Sequence, residues 1–166
     1  VLLFPWVIRR HVYRLIFKYD IHSRAYIGFS WIYPEKLILD SGARIGHMTV
    51  CKNIASVEIG RDSTIGSLNW ITGFPYGTDS LHFKSDISRF PALILKEHSA
   101  ITSRHMIDCT DTITIGNFST IAGIRSQFLT HSINIGKARQ EAMPIKIGEY
   151  CFIGTRWNYY FLKNIL

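Results

Sequence analysis

The chain has 166 residues, 47% apolar and 13% aromatic, with 19 Lys and Arg against 12 Asp and Glu for a formal net charge of +7. The length fits one domain and the composition excludes a disordered chain. The basic balance favours an anionic partner (a phosphorylated ligand, a membrane surface or nucleic acid), and no run of 18 or more apolar residues predicts a membrane-spanning helix.

The sequence opens on Val1 and ends at Leu166 in the aromatic run NYYFLKNIL, which suggests a piece of a longer protein. Residues 1–24 read as a basic amphipathic segment. After Pro5, Arg10, Arg14 and Lys18 recur every four residues, while Val12, Leu15, Ile16 and Tyr19 take another face. That spacing predicts a short helix. It fits a cap packed on the end of the domain, with its charges in solvent. It also fits a helix lying on an anionic membrane, and the two are compatible.

From residue 25 to 155 one phrase recurs. KLILDSGARIG starts at Lys36, SVEIGRDSTIG at Ser56, ALILKEHSAIT at Ala92, TITIGNFSTIA at Thr112, SINIGKARQEA at Ser132 and PIKIGEYCFIG at Pro144. Three of the steps are 20 residues, and inside a phrase the aliphatic step is six, as from Leu39 to Ile45 or Ile115 to Ile121. Three six-residue faces with two spare corner residues make one turn of a triangular prism. Each unit turns one aliphatic side chain inward, and no unit can bury that face alone, so coils must stack. An antiparallel sandwich also has many short strands, but it gives no reason for six nested in twenty. The fold class is therefore all-β, a parallel β-helix. Spacing does not set its hand, and the general preference is for right-handed crossovers.

The repeat breaks twice. TGFPYGTDSLHFKSDISRFP, after Ile71, is dense in Gly, Pro, Ser and Asp and predicts an extruded loop. After Ile135 the expected inward partner is Glu141, so GKARQEAM is expected to leave the coil and return at Pro144. Residues 156–166 carry no hexapeptide pattern and read as a separate tail. Cys51, Cys109 and Cys151 are odd in number and contain no CxxC pair, which argues for packing roles in a reducing compartment.

The nested hexapeptide pattern resembles that of the hexapeptide-repeat acyltransferases, whose fold is the left-handed parallel β-helix. IRSQFLTHS, GSLNWITG and the PW-and-arginine segment before YDIHS bring the chain nearest to the sugar O-acetyltransferases of bacterial polysaccharide biosynthesis, the colanic-acid and maltose O-acetyltransferase-like group. The resemblance implies a homotrimer. Acetyl-CoA would lie along a groove between neighbouring β-helices, and a histidine would act as general base on a sugar hydroxyl. It implies a cytoplasmic protein, at the inner face of the cell membrane if the N-terminal helix binds there, with no metal requirement. Members of the family carry further coils past a phrase such as IGEYCFIGT, and here the pattern stops at Thr155.

The histidine of the family's Thr-His phrase falls on His131. Imidazole titrates near neutrality and can take the proton of a hydroxyl. His131 also sits at an expected corner, where side chains point outward. The 20-residue step puts Asp111 one coil below, where a carboxylate could orient the ring. The same step stacks His105 under Arg125, and both are candidates for contacting the acceptor. Asn69 and Trp70 match the family's Asn-Trp phrase at the mouth of the long loop, where indole could stack on a sugar and amide could bind hydroxyls. Lys137, Arg139 and Lys146 are cationic candidates for the phosphates of CoA. His82, His98 and His47 rank below these. A non-catalytic scaffold or sugar-binding platform is the main alternative. A γ-type carbonic anhydrase would need His98, His105 and His131 as ligands across an interface, and no nucleic-acid reader motif is present.

Overall fold

Short strands rich in Ile, Val and Thr, many of them followed by Gly, build three flat walls in the computed structural model. It describes residues 4–75, 77, 83 and 88–154, and the backbone of 158–160. Each wall is a six-stranded, all-parallel sheet. The first face stacks Asp20–Ile21, Lys36–Leu39, Ser56–Ile59, Ala92–Leu95, Ile113–Ile115 and Ile145–Ile147. The second stacks Tyr26–Ile27, Arg44–Ile45, Thr64–Ile65, Ala100–Ile101, Thr120–Ile121 and Phe152–Ile153. The third stacks Trp31–Tyr33, Val50–Lys52, Trp70–Thr72, Met106–Asp108, Gln127–Leu129 and Asn158–Tyr160. The result is a left-handed parallel β-helix of triangular section. Its third face runs one strand beyond the last phrase legible in the sequence, because Asn158–Tyr160 pairs with Gln127–Leu129.

Alternation along each strand places one residue type inside and its neighbours outside. Leu39, Ile59, Leu95, Ile115 and Ile147 form an inward column on the first face. Ile27, Ile45, Ile65, Ile101 and Ile121 line the second, and Ile32, Cys51, Ile71, Ile107 and Phe128 the third. These columns merge into one continuous core. Cys51 and Cys109 are free and buried in it, and burial pushes the Cys51 thiol up to about 12. That is packing chemistry, since an inert thiol is the protonated one.

The glycines after the inward aliphatics are there because stacked corners nearly touch. A Cβ on Gly46 would lie 2.7 Å from the backbone carbon of Gly66. Left-handed φ values fall instead on other corner residues, such as Met48, Leu68, Arg104 and Arg125 at one corner and Asp62, His98, Phe118 and Tyr150 at another.

The 20-residue step holds for Leu93 on Ile113 but not everywhere. Val57 pairs with Leu93 and Ile113 with Ile145, so sixteen and twelve residues beyond the repeat leave the prism. The phrase at Ser132 is not a coil, which corrects the sequence alignment. His131–Asn134 pairs antiparallel with Arg139–Ala142 in a projecting hairpin. Its tip is a 3-10 turn over Ile135–Lys137, closed by Ala138 at φ +46. Ile135 is 89% exposed there, so an aliphatic in the right frame did not turn inward. The helix expected after Pro5 runs from Trp6 to Leu15 and closes the first coil. Among the described residues no helix is long and apolar enough to cross a membrane.

Candidate active site

Both excursions leave from the same edge, the corner between the third and first faces. The loop departs after Thr72 and the hairpin after Leu129. The coil between them turns tightly from Asp108 through Thr112. His131 stands at the base of the hairpin, and Asp108 ends the strand one coil below.

The two side chains meet. His131 Nδ1 lies 3.0 Å from Asp108 Oδ2, while Asp108 Oδ1 accepts from Thr110 N at 2.8 Å. The carboxylate is therefore held from one side and offers its other oxygen to the ring. A neutral imidazole that keeps its proton on Nδ1, beside this carboxylate, carries its lone pair on Nε2. The Asp108 carboxylate, placed as acceptor beside Nδ1, raises the pKa of His131 against the opposing effect of partial burial. Burial works against the Asp108 charge, yet the hydrogen bonds from His131 and Thr110 outweigh it and hold that carboxyl below its ordinary value.

The extruded loop folds back over this corner. The Phe83 ring meets His131 edge-on at 6.0 Å between centroids. Arg89 lies over Phe83 at 4.7 Å and donates to the carbonyls of Phe74, Pro75 and Thr110. One wall of the histidine's surroundings is thus apolar and pinned by a buried guanidinium. His82 lies outside the described residues.

Asp111 does not orient His131. Its Oδ1 accepts from Phe90 N at 3.1 Å and from Thr112 N at 2.7 Å, tying down the returning loop. Two departures from the twenty-residue step are responsible. Ile107 pairs with Phe128, a register slip of one residue absorbed in the corner that contains Gly123 at φ +79. After Leu129, the register partner of Asp108, the chain leaves the coil for the hairpin, so His131 stacks on no coil position. The alternation of Met106–Asp108 around inward Ile107 already turns Asp108 outward, and that was the available signal.

The same slip changes the other margin of the third face. Met106 pairs with Gln127, so Arg125 stacks on Arg104 rather than on His105. His105 is only 2% exposed. Its Nε2 meets Thr102 Oγ1 at 2.9 Å, and burial lowers its pKa. Asn69 also points inward, donating to Thr102 O at 2.8 Å and accepting from His105 N at 2.9 Å, so its amide braces the corner. Trp70 is outward and 46% exposed, with the Lys52 ammonium 5.5 Å from its ring centre. Trp70, Leu68, Met106 and Gln127 share a shallow cleft of about 360 Å³ with Arg104, Arg125 and the edge of His105. Two cations and no carboxylate line it.

Lys137 and Arg139 sit on the hairpin and converge on Glu141 Oε1, at 3.1 Å and 3.0 Å. Hydrogen bonds from Asn134, Lys137 and Arg139 hold the Glu141 carboxyl at about 2. Lys146 is apart from them, on the outside of the first face in register with Thr114. His98 stacks on Phe118 at a different corner from either His105 or His131, so these three imidazoles do not converge within one chain. His47 accepts from Phe29 N and packs on Tyr26.

A left-handed prism of hexapeptide coils is the fold of the hexapeptide-repeat superfamily, which includes acyltransferases. Compared with family models, curated proteins and solved structures, the chain matches none.

Proposed function

We propose that this chain is an acetyl-CoA-dependent O-acetyltransferase acting on a hydroxyl of a sugar or glycan precursor, with His131 as general base and Asp108 as its positioning carboxylate. The observation that carries the reading is an imidazole whose Nδ1 lies 3.0 Å from the Asp108 carboxylate, at a corner framed by a loop and a hairpin. Nε2 takes the proton of the acceptor hydroxyl as its oxygen attacks the acetyl carbonyl. The C–S bond then breaks, and the proton returns from the imidazolium to the departing thiolate. Acetyl-CoA supplies the activated acyl group. Arg104 and Arg125 beside Trp70, and the excess cation of the Lys137–Arg139–Glu141 cluster, suit its phosphates or those of a phosphorylated acceptor.

A homotrimer is part of this reading. The third face exposes Trp31, Tyr33, Trp70 and Met106, and the hairpin exposes Ile133 and Ile135. Apolar surface in such a row is more than an isolated prism needs to show. The direct test is thiol release from acetyl-CoA over free sugars, nucleotide sugars and lipid-linked sugars. Acceptor-dependent release supports the assignment. No release with any acceptor, in protein that binds no acetyl-CoA, would leave a β-helix scaffold in its place.

The pH dependence has a definite sign. Only neutral His131 can accept a proton, so kcat/KM should rise with pH through the raised pKa, with its acid limb above the ordinary histidine value. In Asp108→Asn the charge that raises the pKa is gone, and the limb should move to lower pH while the plateau falls roughly tenfold or more. The stability linkage runs as two opposing limits. The contribution from His131 is full below its unfolded pKa and fades as pH rises through the raised folded one. That from Asp108 is present above its unfolded pKa and fades as pH falls through the depressed folded one. A limb that stays in place in Asp108→Asn rules out the carboxylate as the positioning group.

A further inference from the structure

The N-terminal helix is docked with its polar side inward. Arg9 is buried and donates through its two terminal nitrogens to Gly28 O and Ile27 O, at 2.9 Å each. Trp6 Nε1 donates to Ala25 O at 3.1 Å, Arg10 donates to Ser23 O, and Tyr13 is buried beside them. The opposite side carries Val7, Ile8, His11 and Leu15 within roughly 100° of arc at 3.6 residues per turn. Ile8 is 48% and Leu15 77% exposed, and Phe4 and Ile16 extend the apolar surface at either end. A soluble cap would be expected to do the reverse.

The charge around this face is one-sided. Residues 1–24 hold five Lys and Arg against a single Asp. Arg9 and Arg10 are turned to the prism, which leaves Arg14, Lys18 and Arg24 as the outward cations. Arg14 and Lys18 flank the exposed apolar side, and Arg24 follows Ser23, where Arg10 ties the helix down.

We propose that this helix face seats the chain on an anionic lipid bilayer, with the helix lying in the headgroup plane. Ten residues are too few to cross a bilayer. An apolar stripe with a basic rim, held parallel to a surface, is what the interface accommodates. The stripe alone gives weak attachment, and the basic rim supplies the second signal that anionic headgroups answer. A docking site for a protein partner would need the same apolar area but not the excess of cations. The helix closes the first coil, and His131 follows the fifth strand of the third face. At about 4.8 Å per coil, the imidazole then stands about 20 Å along the prism axis from the seated end. The inference does not depend on acetyl transfer.

The test is flotation of the chain with phosphatidylcholine vesicles, with and without phosphatidylglycerol. Binding is expected only with the anionic lipid, weakening as salt rises. Ile8→Glu with Leu15→Glu, and separately Arg14→Glu with Lys18→Glu, should each lower the bound fraction by about tenfold or more. Thermal unfolding should be unchanged, because all four side chains are exposed. Failure of the unaltered chain to bind anionic vesicles at low salt would overturn the proposal. So would equal binding by the Ile8→Glu/Leu15→Glu variant. A third overturning result is that this variant, without lipid, drops to a smaller oligomer by light scattering, which would make the face a contact between copies.

Discussion

Replacing His131 by Ala should lower kcat for acetyl transfer by about 10²–10⁴-fold, the range a positioned general base contributes. Binding of acetyl-CoA should change little, because the imidazole acts on the acceptor proton. The loss should be separable from misfolding. The His131 side chain is about one-third exposed, and Asp108 keeps its hydrogen bond from Thr110 N. His131→Gln is the sharper control, since its amide can still meet Asp108 but cannot take a proton at neutral pH. It should be as inactive as His131→Ala while unfolding closer to the unaltered chain. Thiol release that survives both changes at more than about one-tenth of the original rate would remove the proton-transfer role from this residue. The acceptor and the fold could then stand, but the base would have to be sought elsewhere.

How much of this was legible follows from what the sequence encodes locally. The inward columns are periodic, so Leu39, Ile45, Ile59 and Ile65 announce the prism directly. Glu141, in the frame where an aliphatic belonged, announces that the second break exists. The exact departure point was not readable, because SINIG has the same local pattern as a true coil. Only the antiparallel pairing with Arg139–Ala142, a contact across the chain, decides against it. His131 is singled out by the Thr-His phrase of the resemblance and by the chemistry open to imidazole, and the structure adds that the Asp108 carboxylate lies beside it. Its neighbour Asp108 could not be counted from a fixed step of twenty, since His131 already lies in the hairpin and no longer stacks on a coil. Arg104 was lost to the one extra residue in the corner near Gly123. His105 and Asn69 were misread for a different reason. A polar residue at a corner can point outward to a ligand or inward to satisfy backbone groups, and their neighbours in sequence look alike in both cases.

The core makes the largest stability prediction. Phe128→Ala should cost about 3–5 kcal/mol, a large part of the total stability of an ordinary domain. Phe128 is buried, follows Ile107 in the inward column, and faces Leu93, Ile101, Ile113, Ile121 and Ile147 across the interior. Collapse around the deleted ring is difficult, because three hydrogen-bonded walls fix the width of the prism. The cost should therefore sit at the upper end for its type, and Phe128→Leu should lose much less. In a stacked solenoid each coil is supported mainly by its neighbours, so the damage should be local. Hydrogen exchange should show lost protection at Gln127–Leu129 and along the hairpin His131–Ala142. The coils that contain Ile27, Ile45 and Ile59 should keep theirs. Because His131 leaves the prism three residues after Phe128, the same change should lower acetyl transfer without touching the imidazole. An unaltered urea midpoint would mean that the third wall is held by its hydrogen bonds alone, with its inward column contributing little.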